Sequence, residues 1–138
     1  MRQRALALIL ITVLVLPASA AEILQSEPGI ELTIESQIEA FRVDDFSDAF
    51  TYASPNIRRL FGSPERFGAM VRNGFPMVWR PDEFRFLELR KIDGRYWQKL
   101  FVRDEFGAAH LLDYQMIQTP EGWVINGVQI LRPPDVGA

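Results

Sequence analysis

The sequence predicts an α+β domain, in which helices come first and pack on one face of the antiparallel sheet that follows. Two observations lead to this class. Apolar residues recur at helical spacing in the first half of the chain and alternate at strand spacing in the second half. Only short turns separate the strands, so neighbouring strands must run antiparallel, because a parallel connection needs a crossover of about a dozen residues or more.

Three helices are predicted in the first half of the chain, within residues 33–41, 46–53 and 63–73. In each, apolar residues return every three or four positions and therefore line one side of a helix. Thr33 is the predicted N-cap of the first helix, and Ser63-Pro64 marks the start of the third. The apolar residues concerned are Ile34, Ile38, Phe41, Phe46, Ala49, Phe50, Ala53, Phe67, Met70 and Val71.

Four long strands are predicted in the second half, and they form a meander. Asp93-Gly94 is a strong signal for a tight hairpin turn. Turns that contain glycine, at residues 105–107 and 120–122, separate the later strands. In the first strand the alternation changes phase at Phe86-Leu87, which indicates a bulge. The strands span residues 83–92, 95–104, 108–118 and 123–132.

Residues 1–20 have the three-part pattern of a secretory signal peptide. Arg2 and Arg4 precede an apolar run of 12 residues, 5–16, and Ala18-Ser19-Ala20 forms a cleavage site. A membrane-spanning helix needs about 20 apolar residues. The pattern therefore favours cleaved export over the alternative, an uncleaved anchor.

After cleavage the chain is expected to begin near Ala21 and to be periplasmic or secreted, with no stable membrane anchor. A single domain is expected over residues 31–132. Residues 21–30 are expected to form a flexible N-terminus, and residues 133–138 a flexible tail, because chain ends rich in Pro and Gly rarely pack.

Composition excludes several classes of function. Without Arg2 and Arg4, 13 of the 15 basic residues remain against 18 acidic ones, a net charge of −5. An acidic domain with no basic run is a poor partner for nucleic acid. With no cysteine and one histidine, the chain offers no cysteine nucleophile and no zinc ligand set. The acidic run at residues 44–48 lacks the spacing of a calcium loop, so neither a metal nor another cofactor is expected.

His110, the only histidine, is the one candidate for acid–base catalysis, and Asp113 follows three residues later. Successive side chains of a strand point to opposite faces. His110 is therefore predicted to share a face with Leu112, Tyr114 and Met116 and to look toward the helices, while Asp113 faces the other side. We expect no His110–Asp113 pair.

Aromatic residues on the sheet and at its entry are the other candidates. They could line an apolar ligand cavity, or they could simply fill the core, and the sequence leaves both possibilities open. The residues predicted to line a pocket are His110, Tyr114, Trp97, Phe101 and Trp79.

Three motifs resemble the DUF4864 family of uncharacterised proteins, which we expect to lie within the NTF2-like (cystatin-like) superfamily. They are AF-x-x-DD-x-x-x-AF at residues 40–50, SP-x-I-x-x-x-F at 54–61 and W-x-I-x-G at 123–127. The resemblance implies a cone of about three helices on a curved antiparallel sheet of about four long strands. It also implies a pocket between helices and sheet and dimers through the exposed sheet face, but no activity.

Two hypotheses follow. The first is an exported, non-enzymatic domain that binds a small, partly apolar molecule, forms a homodimer through its sheet or meets another protein. The alternative is an acid–base enzyme of NTF2-like type, such as an isomerase, dehydratase or hydrolase, that uses His110. The position of His110 discriminates between them, because catalysis requires an enclosed pocket with a carboxylate within about 3 Å.

Overall fold

The computed structural model describes residues 9–14 and 21–131, and these residues confirm the α+β class. The rest of the predicted signal peptide and the predicted tail lie outside the described residues. The helices of the described part are α1 (Pro28–Arg42), α2 (Phe46–Thr51), α3 (Pro55–Phe61), α4 (Pro64–Gly74) and α5 (Pro76–Trp79). Its strands are β1 (Glu22–Leu24), β2 (Pro81–Ile92), β3 (Arg95–Asp104), β4 (Ala109–Thr119) and β5 (Gly122–Leu131).

The first helix begins at Pro28, ahead of its predicted start, so the prediction that Thr33 caps it was wrong. The cap is Glu27, whose carboxylate accepts a hydrogen bond from the Gly29 N–H at 3.2 Å. Thr33 instead lies inside the helix. Its hydroxyl is 3.0 Å from the Gly29 carbonyl oxygen and 2.9 Å from that of Trp123, which ties α1 to β5.

Residues 21–30, expected to be flexible, contain strand β1 and the first turn of α1. β1 pairs antiparallel with residues 89–91 of β2, and Ile30 is fully buried. Sequence patterns missed both elements for physical reasons. A strand of three residues is too short to show a period, and Pro-Gly at the start of a helix looks like a loop signal.

Two of the helices, α3 and α5, were not predicted. α3 follows Ser54, whose hydroxyl oxygen accepts from the Ile57 N–H at 3.2 Å, and it ends at Gly62 in the left-handed conformation. Ser63 caps α4 in the same way, as predicted. In the described ranges, no helix is long and apolar enough to cross a membrane.

The sheet is an antiparallel meander in the order β1-β2-β3-β4-β5, so neighbours in sequence are neighbours in space. Asp93 and Gly94 both have positive φ, as the predicted tight hairpin between β2 and β3 requires. The register shifts between Phe86 and Leu89, which confirms the predicted bulge. A second irregularity lies between Gln115 and Met116 in β4.

The main core lies between the helices and one face of the sheet, here called the inner face. α1, α3 and α5 contact the sheet, while α2 packs against α1 and α4. The opposite face, here called the outer face, carries Arg90, Trp97, Phe101 and Asp113 by register. The most deeply buried apolar residues of α1 and the inner face are Ile30, Ile34, Ile38, Phe41, Leu100, Val102, Leu112, Tyr114 and Met116.

Candidate functional site

A cavity of about 230 Å³ lies between the helices and the inner face of the sheet. Helices α3 and α4 contribute much of its wall, and α1, α5, β4 and β5 contribute the rest. Only two of its lining residues, Gln37 and Tyr114, have strongly hydrogen-bonding side chains. The full lining is Gln37, Phe41, Ala53, Ile57, Leu60, Phe61, Phe67, Met70, Val71, Phe75, Val78, Tyr114, Ile125, Gly127 and Val128.

Helix α3 forms the rim of this cavity. Its apolar residues Ile57, Leu60 and Phe61 all line the cavity, yet none of its residues is buried, and Leu60 is 73% exposed. The helix is anchored at its start, where the buried Ser54 hydroxyl donates to Asn126 Oδ1 of β5 at 2.8 Å. The cavity therefore meets solvent beside α3, and its interior lies toward α4 and the sheet.

A cluster of aromatic rings stiffens the wall around Phe67 of α4. The centroid of its ring lies 5.9 Å from that of Phe41, 5.3 Å from that of Phe50 and 5.9 Å from that of Phe61. These separations are typical of favourable aromatic contacts. Rings from four helices therefore pack together in this part of the wall.

Tyr114 of β4 is among the residues that line the cavity. The residue is 1% exposed, and its hydroxyl has no hydrogen-bond partner among the described residues. Burial raises the pKa of this phenol well above its ordinary value, so it stays protonated at neutral pH. Gln37, the other polar side chain of the lining, donates from Nε2 to the Ala49 carbonyl oxygen at 3.1 Å.

This lining suits binding better than proton transfer. It contains no carboxylate, imidazole or cationic side chain, and its surface is dominated by aliphatic and aromatic groups. Across residues 9–14 and 21–131, no group of three or more His, Cys, Asp or Glu side chains could hold a metal ion. The arrangement offers an apolar molecule a mainly aliphatic and aromatic surface.

His110 does not line the cavity. Its Nε2 is 2.8 Å from Asp104 Oδ2, and the side chain is 25% exposed. The other oxygen of Asp104 accepts the N–H groups of Phe106 and Ala108, each at 2.9 Å, and so closes the β3–β4 turn. The His110 hydrogen bond, followed by that of Ala108, lowers the pKa of the Asp104 carboxyl. The pair has the geometry of a turn clasp and is not part of the cavity lining.

Asp113 lies on the outer face and binds Arg90, so it does not pair with His110, in line with the prediction. Arg90 Nη1 donates to Asp113 Oδ1 at 3.1 Å, and Nη2 donates to Oδ2. The two side chains are 10% and 8% exposed. Burial raises the pKa of the Asp113 carboxyl, and the Arg90 guanidinium opposes that rise.

The structure does not bring the predicted pocket residues together, because strand alternation divides them. Of the set, only Tyr114 lines the cavity. Trp97 and Phe101 lie on the outer face, where the guanidinium groups of Arg85 and Arg103 stack on the Phe101 ring at 4.8 and 5.5 Å. The prediction grouped aromatic residues by type without comparing their faces. Self-association through this face stays a prediction.

Trp79 holds the junction between the helices and the sheet. Its Nε1–H donates to Asp44 Oδ1 at 2.8 Å, and the Arg80 guanidinium lies 4.3 Å from the centre of its ring. Arg80 also donates to Asp44 Oδ1 and to the Phe41 carbonyl oxygen, at 2.9 and 2.7 Å. Trp79 is therefore part of a structural clamp and not of the cavity lining.

Sequence reasoning missed most of the cavity wall. Ile57, Leu60 and Phe61 fall at i, i+3 and i+4, which is a helical signal that was available in SP-x-I-x-x-x-F. Val128 and Ile125 belong to a strand that was predicted, and both line the cavity. No sequence pattern could show that these lining side chains leave a cavity between them.

Comparisons with known proteins give a family and no further relative. No curated protein and no solved structure matches the chain significantly. A family model described as "Domain of unknown function (DUF4864)" matches residues 24–138. The match begins at the last residue of β1 and includes all five helices and strands β2 to β5, and it extends further toward the N-terminus than the predicted domain start at residue 31. Because it covers most of the chain, the protein belongs to the DUF4864 family.

Proposed function

We propose that the domain is a non-enzymatic binding protein that holds a small, mainly apolar molecule in the cavity beside α3. The observation that carries the proposal is the cavity itself, about 230 Å³ of space whose lining is largely apolar. Protein interiors are close-packed, with few voids larger than a water molecule. An apolar cavity of about 150 Å³ is enough to bind benzene. The space here therefore suits about nine non-hydrogen atoms.

The position of His110 also supports binding over catalysis. Its carboxylate partner, Asp104, is bound to two backbone N–H groups of a turn, and neither residue belongs to the cavity lining. A general acid or base must reach the proton it transfers in a bound substrate. The one histidine of the chain is therefore better explained as a turn residue than as a catalyst.

We infer further that the domain is an NTF2-like cone that works after export. The helices on one face of an antiparallel meander, with a bulge in β2, support the cone. Export is supported by the signal-peptide pattern and by the described residues 9–14, whose apolar side chains at Ile9, Leu10, Ile11, Val13 and Leu14 are 73–82% exposed. These side chains are not packed against the folded domain, as expected of a segment that is removed by cleavage.

Thermal unfolding of the chain from Ala21 onward, with and without toluene, tests the binding function. Toluene in the cavity should raise the unfolding midpoint by about 4 °C or more, because it binds the folded state alone. Ile57→Trp, which fills the cavity at its rim, should abolish the increase. Leu32→Trp, on an exposed position of α1, is the matched control and should retain it. If toluene leaves the midpoint of the unmodified chain unchanged, the cavity does not bind apolar molecules and the proposal is wrong.

A further inference from the structure

Helix α3 forms part of the cavity wall without being buried itself. Five of its seven residues are exposed, and the other two, Ile57 and Phe61, are half-buried. Leu60 lines the cavity, yet most of its surface is accessible to water. By contrast, the lining residues of α4 include Phe67 and Val71, which are both buried. α3 is therefore packed less tightly than the part of the wall that α4 provides.

The two ends of α3 are held in different ways. Before its start, the Ser54 N–H donates to the Ile125 carbonyl oxygen at 2.8 Å, and the Ile125 N–H donates to the Tyr52 carbonyl oxygen at 2.9 Å. After its end, Gly62 has a φ of +80°, and a Cβ placed on it would meet nothing within 4 Å beyond its chain neighbours. A glycine in open space changes its backbone angles at little steric cost. The fixed start and the unhindered glycine suit a helix that pivots between its two ends.

The middle of α3 is held mainly by two apolar side chains. Ile57 and Phe61 pack against the core, and the ring centroid of Phe61 lies 5.9 Å from that of Phe67 in α4. The Arg59 guanidinium donates a hydrogen bond to Asn56 of the same helix, so this bond does not tie α3 to the rest of the wall. A segment with few buried apolar contacts opens locally at a lower free energy than the whole domain needs to unfold. We therefore expect α3 to open before α4 and the sheet do.

We propose that α3 is a lid, which opens to admit an apolar molecule and then closes over it with Leu60 against the bound molecule. This inference rests on the proposed binding function and adds the route by which the cavity is reached. Leu60 already lines the cavity while it is 73% exposed, so an inward movement of α3 buries apolar surface on the ligand, which is favourable. A ligand shifts an equilibrium between two positions only if it binds one of them better, and the Leu60 contact supplies that difference.

Amide hydrogen exchange on the chain from Ala21 onward tests the opening, with toluene as the probe. Without toluene, the amides of residues 57–62 should exchange faster than those of residues 68–74 in α4. Toluene at about ten times its dissociation constant should slow exchange at residues 57–62 about tenfold, because the open lid releases the molecule. If toluene raises the unfolding midpoint but leaves this exchange unchanged, or if α3 and α4 exchange equally fast without it, the lid is wrong and the proposed function stands. If toluene raises neither the midpoint nor the protection, both are overturned.

Leu60→Ala tests the closing movement. Without toluene its unfolding midpoint should be close to that of the unmodified chain, because the leucine is mostly exposed. Its dissociation constant for toluene, measured by calorimetry, should rise about three- to tenfold, since the closed lid then buries less apolar surface. Leu32→Ala, at an exposed leucine of α1 outside the cavity lining, is the matched control and should bind toluene like the unmodified chain. An unchanged affinity in Leu60→Ala, or an equal loss in both variants, would overturn the closure.

Discussion

The two faces of the sheet differ in whether their buried polar side chains have hydrogen-bond partners. On the inner face Tyr114 is almost completely buried, and its hydroxyl has no partner among the described residues. On the outer face the adjacent residue, Asp113, is also buried, but it shares two hydrogen bonds with Arg90. The register places Trp97 beside Arg90 and Lys99 beside Asp113, so the ion pair lies among the side chains of its own face. The buried ion pair of the outer face is hydrogen-bonded, whereas the inner face has two buried polar atoms without a partner among the described residues, Tyr114 Oη and Gln98 Oε1, and borders a cavity.

Breaking the ion pair of the outer face should have the largest effect on the free energy of unfolding. Arg90→Met leaves the Asp113 carboxylate buried without its partner, and such changes cost about 3 kcal/mol or more. Urea unfolding at neutral pH measures the loss. The double variant Arg90→Met with Asp113→Leu should recover most of it, because it replaces both charges with apolar groups. Equal losses in the single and double variants would show that packing matters at this site and the charge pair does not.

The sequence could predict the features that depend on neighbouring residues along the chain, but not those that depend on how separate strands pair. Period and turn signals located three of the helices, the four long strands and the bulge at Phe86-Leu87, because these depend on neighbours along the chain. Alternation within β4 separated His110 from Asp113 correctly. Trp97 and Phe101 lie on the outer face, away from the cavity, and the sequence could not show this, because the relation between faces of different strands depends on the register between them.

The candidate site itself was beyond the reach of sequence patterns. A cavity is the space that packing leaves, and it is set by how helices from distant parts of the chain meet the sheet. α3 escaped prediction although Ile57, Leu60 and Phe61 have helical spacing, since it is a short helix without a buried residue. The missing partner of Tyr114 is equally invisible, because a sequence shows which polar groups exist and not which of them meet.

A smaller effect is expected from removing a polar group that has no partner. Tyr114→Phe should leave the free energy of unfolding unchanged or raise it by up to about 1 kcal/mol, since a buried hydroxyl without a hydrogen bond has already lost its water. Ser54→Ala is the contrasting control. It removes a buried hydroxyl with two partners, Asn126 and the Ile57 N–H, and should cost about 1 to 2 kcal/mol. A loss in Tyr114→Phe as large as that in Ser54→Ala would mean that the phenol is hydrogen-bonded in solution.

The smallest expected effect is on the loss of stability in acid. Here the Asp104 carboxyl of the β3–β4 turn and the Asp113 carboxyl of the outer face should act in opposite directions. The pKa of Asp104 lies below its ordinary value of 3.8, because His110 and the Ala108 N–H bind its charged form. Its contribution to stability is therefore present above pH 3.8 and is lost as the pH falls through the lower value of the folded state. The pKa of Asp113 is raised by burial, so its contribution has the opposite sign and declines as the pH rises.

Asp104→Asn keeps an oxygen that can accept the N–H groups of the turn but removes the titration. Thermal unfolding from about pH 7 down to about pH 2 should then show a lower midpoint than that of the unmodified chain near neutral pH, where the charged Asp104 contributes, and a shallower decline in acid. Asp82→Asn, at an exposed position of β2, serves as the control for the loss of one negative charge. If both variants change the acid decline equally, net charge causes it. If Asp104→Asn alone does so, the Asp104 carboxylate stabilises the turn through its hydrogen bonds, which fits a structural role for the histidine that it contacts.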